Sequence, residues 1–285
     1  MADADPAHSS RPVTPRNTEL GLRVCSALVL APLAIWTAYL GGWAFAIFWS
    51  LAAVGVFWEW SSLIAGDEKR SMMAVGGAAL VLSLVLAAIE RLMGSAIVLA
   101  LGLLAIAPVA PPQRRGWAAG GIVYAGAIAI GPIVLRSDNE DGFVAVLLVF
   151  AIVWATDICA YFLGRLIGGP KLLARVSPKK TWSGAVGGLV AAVLAAVVVG
   201  RLAGLGGLPA IGLVAVVLSV VAQAGDLFES LLKRRFGAKD SSHLIPGHGG
   251  LMDRLDGFVF AAALAAAIGI LRGGLEAPAR GLLIW

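Results

Sequence analysis

Apolar residues along this chain form nine runs, separated by short polar segments, and each run has roughly the length that a helix needs to cross a bilayer. A helix of about 20 apolar residues spans the hydrocarbon and satisfies its own backbone hydrogen bonds there. The runs cover residues 22–40, 43–64, 72–89, 95–109, 117–135, 142–163, 184–202, 208–232 and 251–271. The pattern therefore predicts an all-α, polytopic membrane protein with about nine transmembrane helices.

The composition excludes a water-soluble fold. Of the 285 residues, 59% are hydrophobic and 14% are charged, and the mean hydropathy is +0.89, whereas soluble domains carry about 25% charged residues. The net charge of +5 comes from basic residues in short loops between the spans. That placement favours lipid and nucleotide phosphates as partners and argues against nucleic acid.

The first 20 residues are polar and contain three prolines, which predicts a disordered cytoplasmic tail. They lack the basic start and the cleavage site of a secretory signal, so the first apolar run is expected to be retained as a span. Residues 21–285 are predicted to form a single transmembrane domain. Cys25 and Cys159 both lie in apolar runs, so we expect neither a disulfide framework nor a zinc site.

The number of basic residues alternates between higher and lower values in successive loops. If the N-terminus is cytoplasmic, 17 of the 22 Lys and Arg residues fall in inside segments. The five on the outside are Arg91, Arg136, Arg201, Arg272 and Arg280. This bias is the one that the positive-inside rule describes. It predicts an N-in, C-out orientation, with the two longest basic loops in the cytoplasm.

Acidic residues inside apolar runs are candidates for function, because a charge in hydrocarbon costs several kcal/mol. Asp226 and Glu229 lie three residues apart near the end of the eighth run, and Asp253 and Asp256 repeat that spacing at the start of the ninth. Residues three apart share one face of a helix. Two such pairs on adjacent helices would form a cluster of hard oxygen ligands suited to Mg²⁺. The alternative is structural ion pairing with Lys233, Arg234 and Arg254.

Two loops could bind phosphate. Residues 246–250 read Pro-Gly-His-Gly-Gly, and such turns let backbone N–H groups approach an anion. The alternative, which is more frequent for glycine-rich segments, is a turn that binds no anion. Residues 177–184 carry two lysines and three hydroxyl side chains immediately before a helix, where the helix dipole is positive. The alternative for this second loop is ordinary positive-inside charge.

Two further acids lie within predicted spans. Asp157 in the sixth span is a candidate buried acid, and its structural alternative is a hydrogen bond between helices. Glu59 lies toward the cytoplasmic end of the second span, and we expect it to reach the interface or pair with a loop cation rather than to act in catalysis.

The stretch from Ser230 to Asp256 resembles the signature of the phosphatidate cytidylyltransferases, also called CDP-diacylglycerol synthases. The matching positions are Ser230, Lys233, Arg234, Lys239, Asp240, Pro246, His248, Gly249, Gly250, Asp253, Arg254 and Asp256. Ala160, Tyr161, Gly164, Arg165 and residues 177–181 are also similar to the family, so the resemblance covers roughly the C-terminal half. Two departures stand out: Ser183 replaces a Glu that many relatives carry, and Ile158-Cys159 replaces Thr-Gly after the acid.

The resemblance implies transfer of the cytidylyl group from CTP to phosphatidic acid, with release of pyrophosphate and a requirement for Mg²⁺. It implies that the transmembrane domain is catalytic and that Asp226 and Asp253 are metal ligands, in a paired-cation site that can include K⁺. Membrane lipids surround the enzyme, a homodimer is suggested by the family alone, and the location is the bacterial inner membrane with a cytoplasmic active site.

We assign provisional roles to the residues on that basis. Glu229 and Asp256 are expected to support the metal shell, with Glu229 as a further candidate ligand. The expected phosphate-neutralising or catalytic residues are Lys239, Arg254, His248, Lys179 and Lys180. The expected substrate-binding residues, besides those two lysines, are Ser177, Thr181, Ser230, Lys233, Gly249 and Gly250.

Two other functions fit parts of the pattern. Buried acids among many spans also mark transporters, although a transport site is expected near the midplane and between repeats, and no repeat is evident. A second alternative is another CTP-using membrane enzyme, such as a polyprenol or dolichol kinase.

Overall fold

The computed structural model describes residues 16–138, 140–242, 244–245 and 249–285, with side chains from residue 28 onward except that of Asp67. Within this part of the chain, ten α-helices account for most residues. They are α1 (Arg16–Leu40), α2 (Gly42–Ile64), α3 (Lys69–Ala88), α4 (Leu92–Ile106), α5 (Arg115–Arg136), α6 (Gly142–Leu166), α7 (Trp182–Leu202), α8 (Leu208–Arg235), α9 (Met252–Gly273) and α10 (Pro278–Leu283). Residues 1–15 lie outside the described residues, and α1 begins within the stretch assigned to the tail.

Each predicted span coincides with one of the helices α1 to α9, so the helical class is confirmed. Among the described residues, seven helices are long and apolar enough to cross a membrane: α2, α3, α5, α6, α7, α8 and α9. The described part of α1 from residue 28 and the 15-residue α4 are apolar but shorter. A 15-residue helix rises about 22 Å, less than the ~30 Å of hydrocarbon.

The expectation of an all-α fold was wrong in one segment. Strands β1 (Lys171–Leu173) and β2 (Ser177–Thr181) pair antiparallel between α6 and α7. Outside the hydrocarbon a short segment can expose its backbone to water, so a hairpin is permitted here and would not be within a span. The short helix α10 was also not predicted, and it packs against α9 where Gly281 and Gly269 meet backbone to backbone.

Consecutive helices run antiparallel, and several bonds tie their ends together. At one end, Arg114 donates to the carbonyl of Ile64, and the Trp60 indole donates to the carbonyl of Trp117. At the other end, Arg136 donates to the carbonyl of Ala38 at 2.6 Å. Helix α4 follows the same alternation of direction. Its Ser95 forms a hydrogen bond with Ser83 of α3 at 2.9 Å, near the end of the bundle where Arg136 lies.

Small residues allow the helices around the site to touch. A Cβ added to Gly225 of α8 would lie 2.6 Å from the carbonyl oxygen of Asp256, and one added to Gly257 of α9 would lie 3.0 Å from that of Ala222. Helix α7 approaches α6 in the same way, since a Cβ on Gly188 would lie 2.6 Å from the carbonyl oxygen of Thr156. Membrane helices associate closely through backbone contact of this kind. Here the contact fixes the position of α8 along α9, so that the acidic residues of the two helices lie side by side.

Candidate functional site

The two acidic pairs predicted from the sequence lie side by side at one end of the bundle. The Gly225 and Asp256 contact places the end of α8 against the start of α9. The ammonium of Lys233 then bridges the two helices, 2.7 Å from Glu229 Oε2 and 2.6 Å from Asp253 Oδ1. Carboxylates from two separated stretches therefore lie close together, because α8 and α9 are adjacent.

A polar cavity of about 760 Å³ opens beside these acids. Four carboxylates line it, those of Asp157, Asp226, Asp253 and Asp256. Its basic residues are Arg165, Lys171, Lys179, Lys180 and Arg254. A concave site with both signs of charge can hold a polyanion together with a cation, because the lysines and arginines attract phosphate while the carboxylates attract metal.

The β-hairpin supplies much of the basic wall. Lys180 of β2 forms an ion pair with Asp226 of α8, and its side chain is 26% exposed. Arg234 donates to the carbonyl of Val176, which fixes the turn of the hairpin to the end of α8. The hairpin thus brings the 177–184 loop over the acids, so the lysines of this loop form part of the cavity wall.

The Thr181 hydroxyl is already used within the protein. It accepts a hydrogen bond from the Gly184 amide at 3.2 Å and so caps the N-terminus of α7. It also bonds the Ser183 hydroxyl at 3.0 Å, and Ser183 in turn donates to the carbonyl of Gly168. Ser183, where many relatives carry Glu, therefore fastens the loop that follows α6.

Asp253 is held by protein donors on both oxygens. Besides Lys233 on Oδ1, its Oδ2 accepts from the Gly250 amide at 2.8 Å, the Ser241 hydroxyl at 3.0 Å and the Ser241 amide at 3.1 Å. The carboxylate is therefore oriented before any ligand binds. Ser241 carries no signal in the sequence beyond following Asp240.

Glu59 has a role that the sequence did not indicate. Its carboxylate is fully buried and accepts four hydrogen bonds. The donors are the Ser241 hydroxyl at 3.2 Å, the Ser242 hydroxyl at 2.5 Å, the Leu251 amide at 2.8 Å and the Met252 amide at 2.6 Å. The Ser241 hydroxyl has a single proton, which it shares between Glu59 and Asp253. The two amides are free N–H groups at the start of α9, where a negative charge is stabilised by the helix dipole. The Glu59 side chain does not reach the protein surface, and it forms no ion pair with a loop cation among the residues that the structure describes.

Gly250 is required at the point where these bonds meet. A Cβ added there would lie 1.8 Å from Ser241 Oγ and 2.8 Å from Glu59 Oε1. Gly249 has φ +82°, and its Cβ would lie 2.9 Å from Asp253 Oδ2. Both glycines therefore let the loop approach the carboxylates closely, which explains their presence without direct contact with a substrate.

Several predicted site residues lie elsewhere. Glu229 is buried and is not among the residues that line the cavity; its Oε2 pairs with Lys233, and its Oε1 has no hydrogen-bond partner within the described part of the chain. Ser177, Ser230 and Lys239 are not among the residues that line the cavity, and Lys239 is exposed on the loop after α8. His248 lies outside the described residues.

The donor set fits Mg²⁺ in the way that nucleotide sites use it. Among the residues that the structure describes, no group of three or more Asp, Glu, His or Cys side chains is arranged as a complete metal site. Mg²⁺ usually takes only one or two protein carboxylates, with substrate phosphates and water supplying the rest. Asp226 and Asp253 both line the cavity, so two carboxylates are present there. Each now has a lysine ammonium beside it, Lys180 at Asp226 and Lys233 at Asp253.

Comparison with known proteins shows which family the chain matches. Residues 21–271 match the model of the family described as "Cytidylyltransferase family". A protein of Brucella suis biovar 1 named phosphatidate cytidylyltransferase is 40% identical over 264 residues, which is 92% of this chain and 97% of that protein. Its namesake from Brucella abortus biovar 1 is 41% identical over 257 residues, 89% of this chain and 94% of that protein. One from Staphylococcus haemolyticus is 40% identical over 134 residues, 47% of this chain and 52% of that protein.

Proposed function

Because this chain belongs to the cytidylyltransferase family, we propose that the polar cavity between α6, α8, α9 and the β-hairpin is its active site. The enzyme transfers the cytidylyl group of CTP to phosphatidic acid, giving CDP-diacylglycerol and pyrophosphate for phospholipid synthesis. The observation that carries the assignment of the site is the convergence of four carboxylates and five basic residues on one cavity.

The reaction needs no covalent intermediate with the protein. A phosphate oxygen of phosphatidic acid attacks the α-phosphorus of CTP, a new P–O bond forms, and the bond to the β-phosphate breaks as pyrophosphate leaves. The obstacle is bringing two polyanions together, so catalysis consists of positioning and charge stabilisation.

The chain's own cations supply part of that stabilisation. Lys179, Lys180 and Arg254 line the cavity and would neutralise phosphate oxygens. Asp226 and Asp253, supported by Asp256, would hold Mg²⁺ in a paired-cation site with K⁺. When bound, Mg²⁺ offsets the charge that develops on the phosphates. Lys233 and the Gly250 amide keep Asp253 in place.

We propose nine spans with the N-terminus in the cytoplasm, the C-terminus outside, and the active site at the cytoplasmic face of the bacterial inner membrane. The antiparallel order of the helices supports this proposal, because the ends of α2, α5, α8 and α9 that carry basic loops lie at the same end of the bundle as the cavity. A homodimer is proposed on the family resemblance alone.

The orientation predicts the accessibility of single cysteines. In a protein with Cys25 and Cys159 replaced by Ser, a cysteine appended after Trp285 should react with a membrane-impermeant maleimide in intact cells. Ser10→Cys and Gln113→Cys should react only after permeabilisation. Reaction of Gln113→Cys from outside would show that α4 does not cross, and reaction of Ser10→Cys would show the same for α1.

The activity is tested with CTP labelled separately on the α- and γ-phosphates. Purified protein with phosphatidic acid and Mg²⁺ should move the α-label into lipid and release the γ-label in pyrophosphate, and EDTA should abolish both. A polyprenol or dolichol kinase would instead transfer the γ-label to a lipid alcohol, and a transporter would label no lipid. Either result would overturn the assignment.

A further inference from the structure

Tyr161 of α6 lies in the wall of the polar cavity but has no part in the chemistry proposed above. Among the described residues that line the cavity it is the one aromatic side chain, and it is 60% exposed. The guanidinium of Arg165 donates a hydrogen bond to the Tyr161 hydroxyl at 3.2 Å, and Arg165 lines the same cavity. An accessible aromatic ring is therefore held in a wall whose other side chains are mainly charged or small.

The position of Tyr161 along α6 relates it to the acids of the cavity. Asp157, Tyr161 and Arg165 are spaced by four residues, so they lie on one face of α6, each about 6 Å beyond the last. All three line the cavity. Tyr161 therefore lies about one helical turn from Asp157, toward the end of α6 that leads into the β-hairpin.

The other end of this row borders apolar surroundings. Asp157 and Arg254 also line a second cleft of about 220 Å³ between α1, α2, α6 and α9, and the walls of this cleft are mostly alkyl and aromatic. Tyr161 is not among the residues that line it. The part of the polar cavity around Tyr161 is thus the part remote from the apolar cleft, and it suits the water-soluble substrate, the nucleotide.

The β-hairpin meets α6 close to Tyr161. A Cβ added to Gly164, three residues after Tyr161, would lie 2.9 Å from Thr181 Oγ1 at the end of β2. Two apolar residues of the hairpin, Leu172 and Pro178, line the cavity as well. This side of the cavity therefore offers an aromatic ring on α6 and apolar surface on the hairpin, which suits a flat ring with apolar faces and polar edges.

We propose that the cytosine ring of CTP stacks on Tyr161. The inference rests on the proposed function and adds the residue that holds the base. Every nucleobase has an apolar π-face, and aromatic side chains bind bases by stacking on that face. With the base on Tyr161, the ribose spans the helical turn between Tyr161 and Asp157, so that the α-phosphate reaches the acidic part of the cavity.

The test measures the KM for CTP with the full-length enzyme in mixed micelles. Tyr161→Ala should raise this KM about 5- to 150-fold, the effect of losing one base–aromatic stack, while the KM for phosphatidic acid stays constant. Tyr161→Phe should keep the KM for CTP within about threefold of the wild-type value, because it retains the ring and loses only the bond from Arg165. An unchanged KM for CTP in Tyr161→Ala would overturn the proposal and leave Tyr161 as an aromatic residue of the membrane interface.

Inhibition separates binding of the base from binding of the phosphates. CDP carries the base, whereas inorganic pyrophosphate carries phosphate alone. In Tyr161→Ala, the inhibition constant of CDP should rise by the same factor as the KM for CTP, and that of pyrophosphate should stay within about twofold of the wild-type value. Equal weakening of both inhibitors would show that Tyr161 acts on the phosphates or on the shape of the cavity, and it would overturn the proposal.

Trp182→Ala provides the matched control, because it removes an exposed aromatic ring at the start of α7 that is not among the residues lining the cavity. It should leave the KM for CTP unchanged, and a rise equal to that of Tyr161→Ala would overturn the proposal. If Tyr161→Ala does not fold, Tyr161→Leu decides by the same measurements, since leucine keeps apolar bulk without an aromatic ring. Failure of the proposed function is separate, because the wild-type enzyme would then form no CDP-lipid at all.

Discussion

Asp226→Asn is expected to reduce cytidylyl transfer by about a thousandfold or more, the upper range for losing one group that stabilises charge at a reaction centre. Asp226 lies on the wall of the polar cavity, and its side chain is 31% exposed. Asparagine keeps the shape and removes the charge that would bind the cation. The ammonium of Lys180, which pairs with Asp226, would then remain without its partner.

The same substitution separates the catalytic role from the structural one. If Asp226 only pairs with Lys180, the loss is that of a partly exposed ion pair, about 0–1 kcal/mol, and turnover should stay near normal. The measurement is the initial rate of CDP-diacylglycerol formation, with size-exclusion profile and thermal stability in detergent as checks on folding. Glu276→Gln is the control, because it makes the same acid-to-amide change in an exposed residue next to the last turn of α9, at the opposite end of the bundle. Near-normal turnover of Asp226→Asn would remove the proposed metal site.

Glu59→Gln is expected to lower activity about 10- to 100-fold and to raise the Mg²⁺ concentration needed for half-maximal rate, the range found when a group that orients a metal ligand is changed. Glu59 is a positioning residue. It holds Ser241 and the first amides of α9, and Ser241 and α9 in turn hold Asp253. Glutamine replaces one acceptor oxygen by an NH₂ group, which would face donors that now point at the carboxylate.

The Mg²⁺ dependence distinguishes positioning from a general loss of folded protein. Partial unfolding would lower the maximal rate without changing the Mg²⁺ activation midpoint, whereas a displaced Asp253 shifts the midpoint. The matched control is Glu68→Gln, which removes a charge from an exposed residue just beyond the same end of α2. An unchanged midpoint with normal turnover in Glu59→Gln would show that the four bonds to Glu59 do not govern the site.

The helices were predictable because their signal is local. An apolar run of sufficient length is helical in a bilayer whatever its neighbours are, and helices α2 to α9 begin and end within a few residues of the predicted limits. The hairpin was not predictable on the same grounds. Strands of three and five residues in a charged loop show no apolar alternation, and they are held by Arg234 from a distant helix.

The acidic pairs illustrate how far spacing alone can go. The i, i+3 separation of Asp226 from Glu229, and of Asp253 from Asp256, predicted that each pair shares a helix face. In the structure Asp253 and Asp256 both line the cavity, whereas the members of the first pair differ. Asp226 faces the cavity whereas Glu229 is buried against Lys233, so the ion-pair interpretation holds for Glu229 and the cavity-facing one for Asp226. That division depends on which side of α8 meets α9, and the contact at Gly225 determines it.

The sequence by itself determined that the chain is a helical membrane protein, where its longer helices α1 to α9 lie, and which acids and lysines are concentrated near the ends of two of them. These properties follow from side chains close together along the chain and from the cost of placing charge or open backbone in hydrocarbon. Only the tertiary structure decided that Glu59 holds residues more than 180 positions later, and that Arg254 lies between the polar cavity and an apolar cleft. Such contacts arise when helices distant in sequence pack together, and no pattern within one helix specifies them.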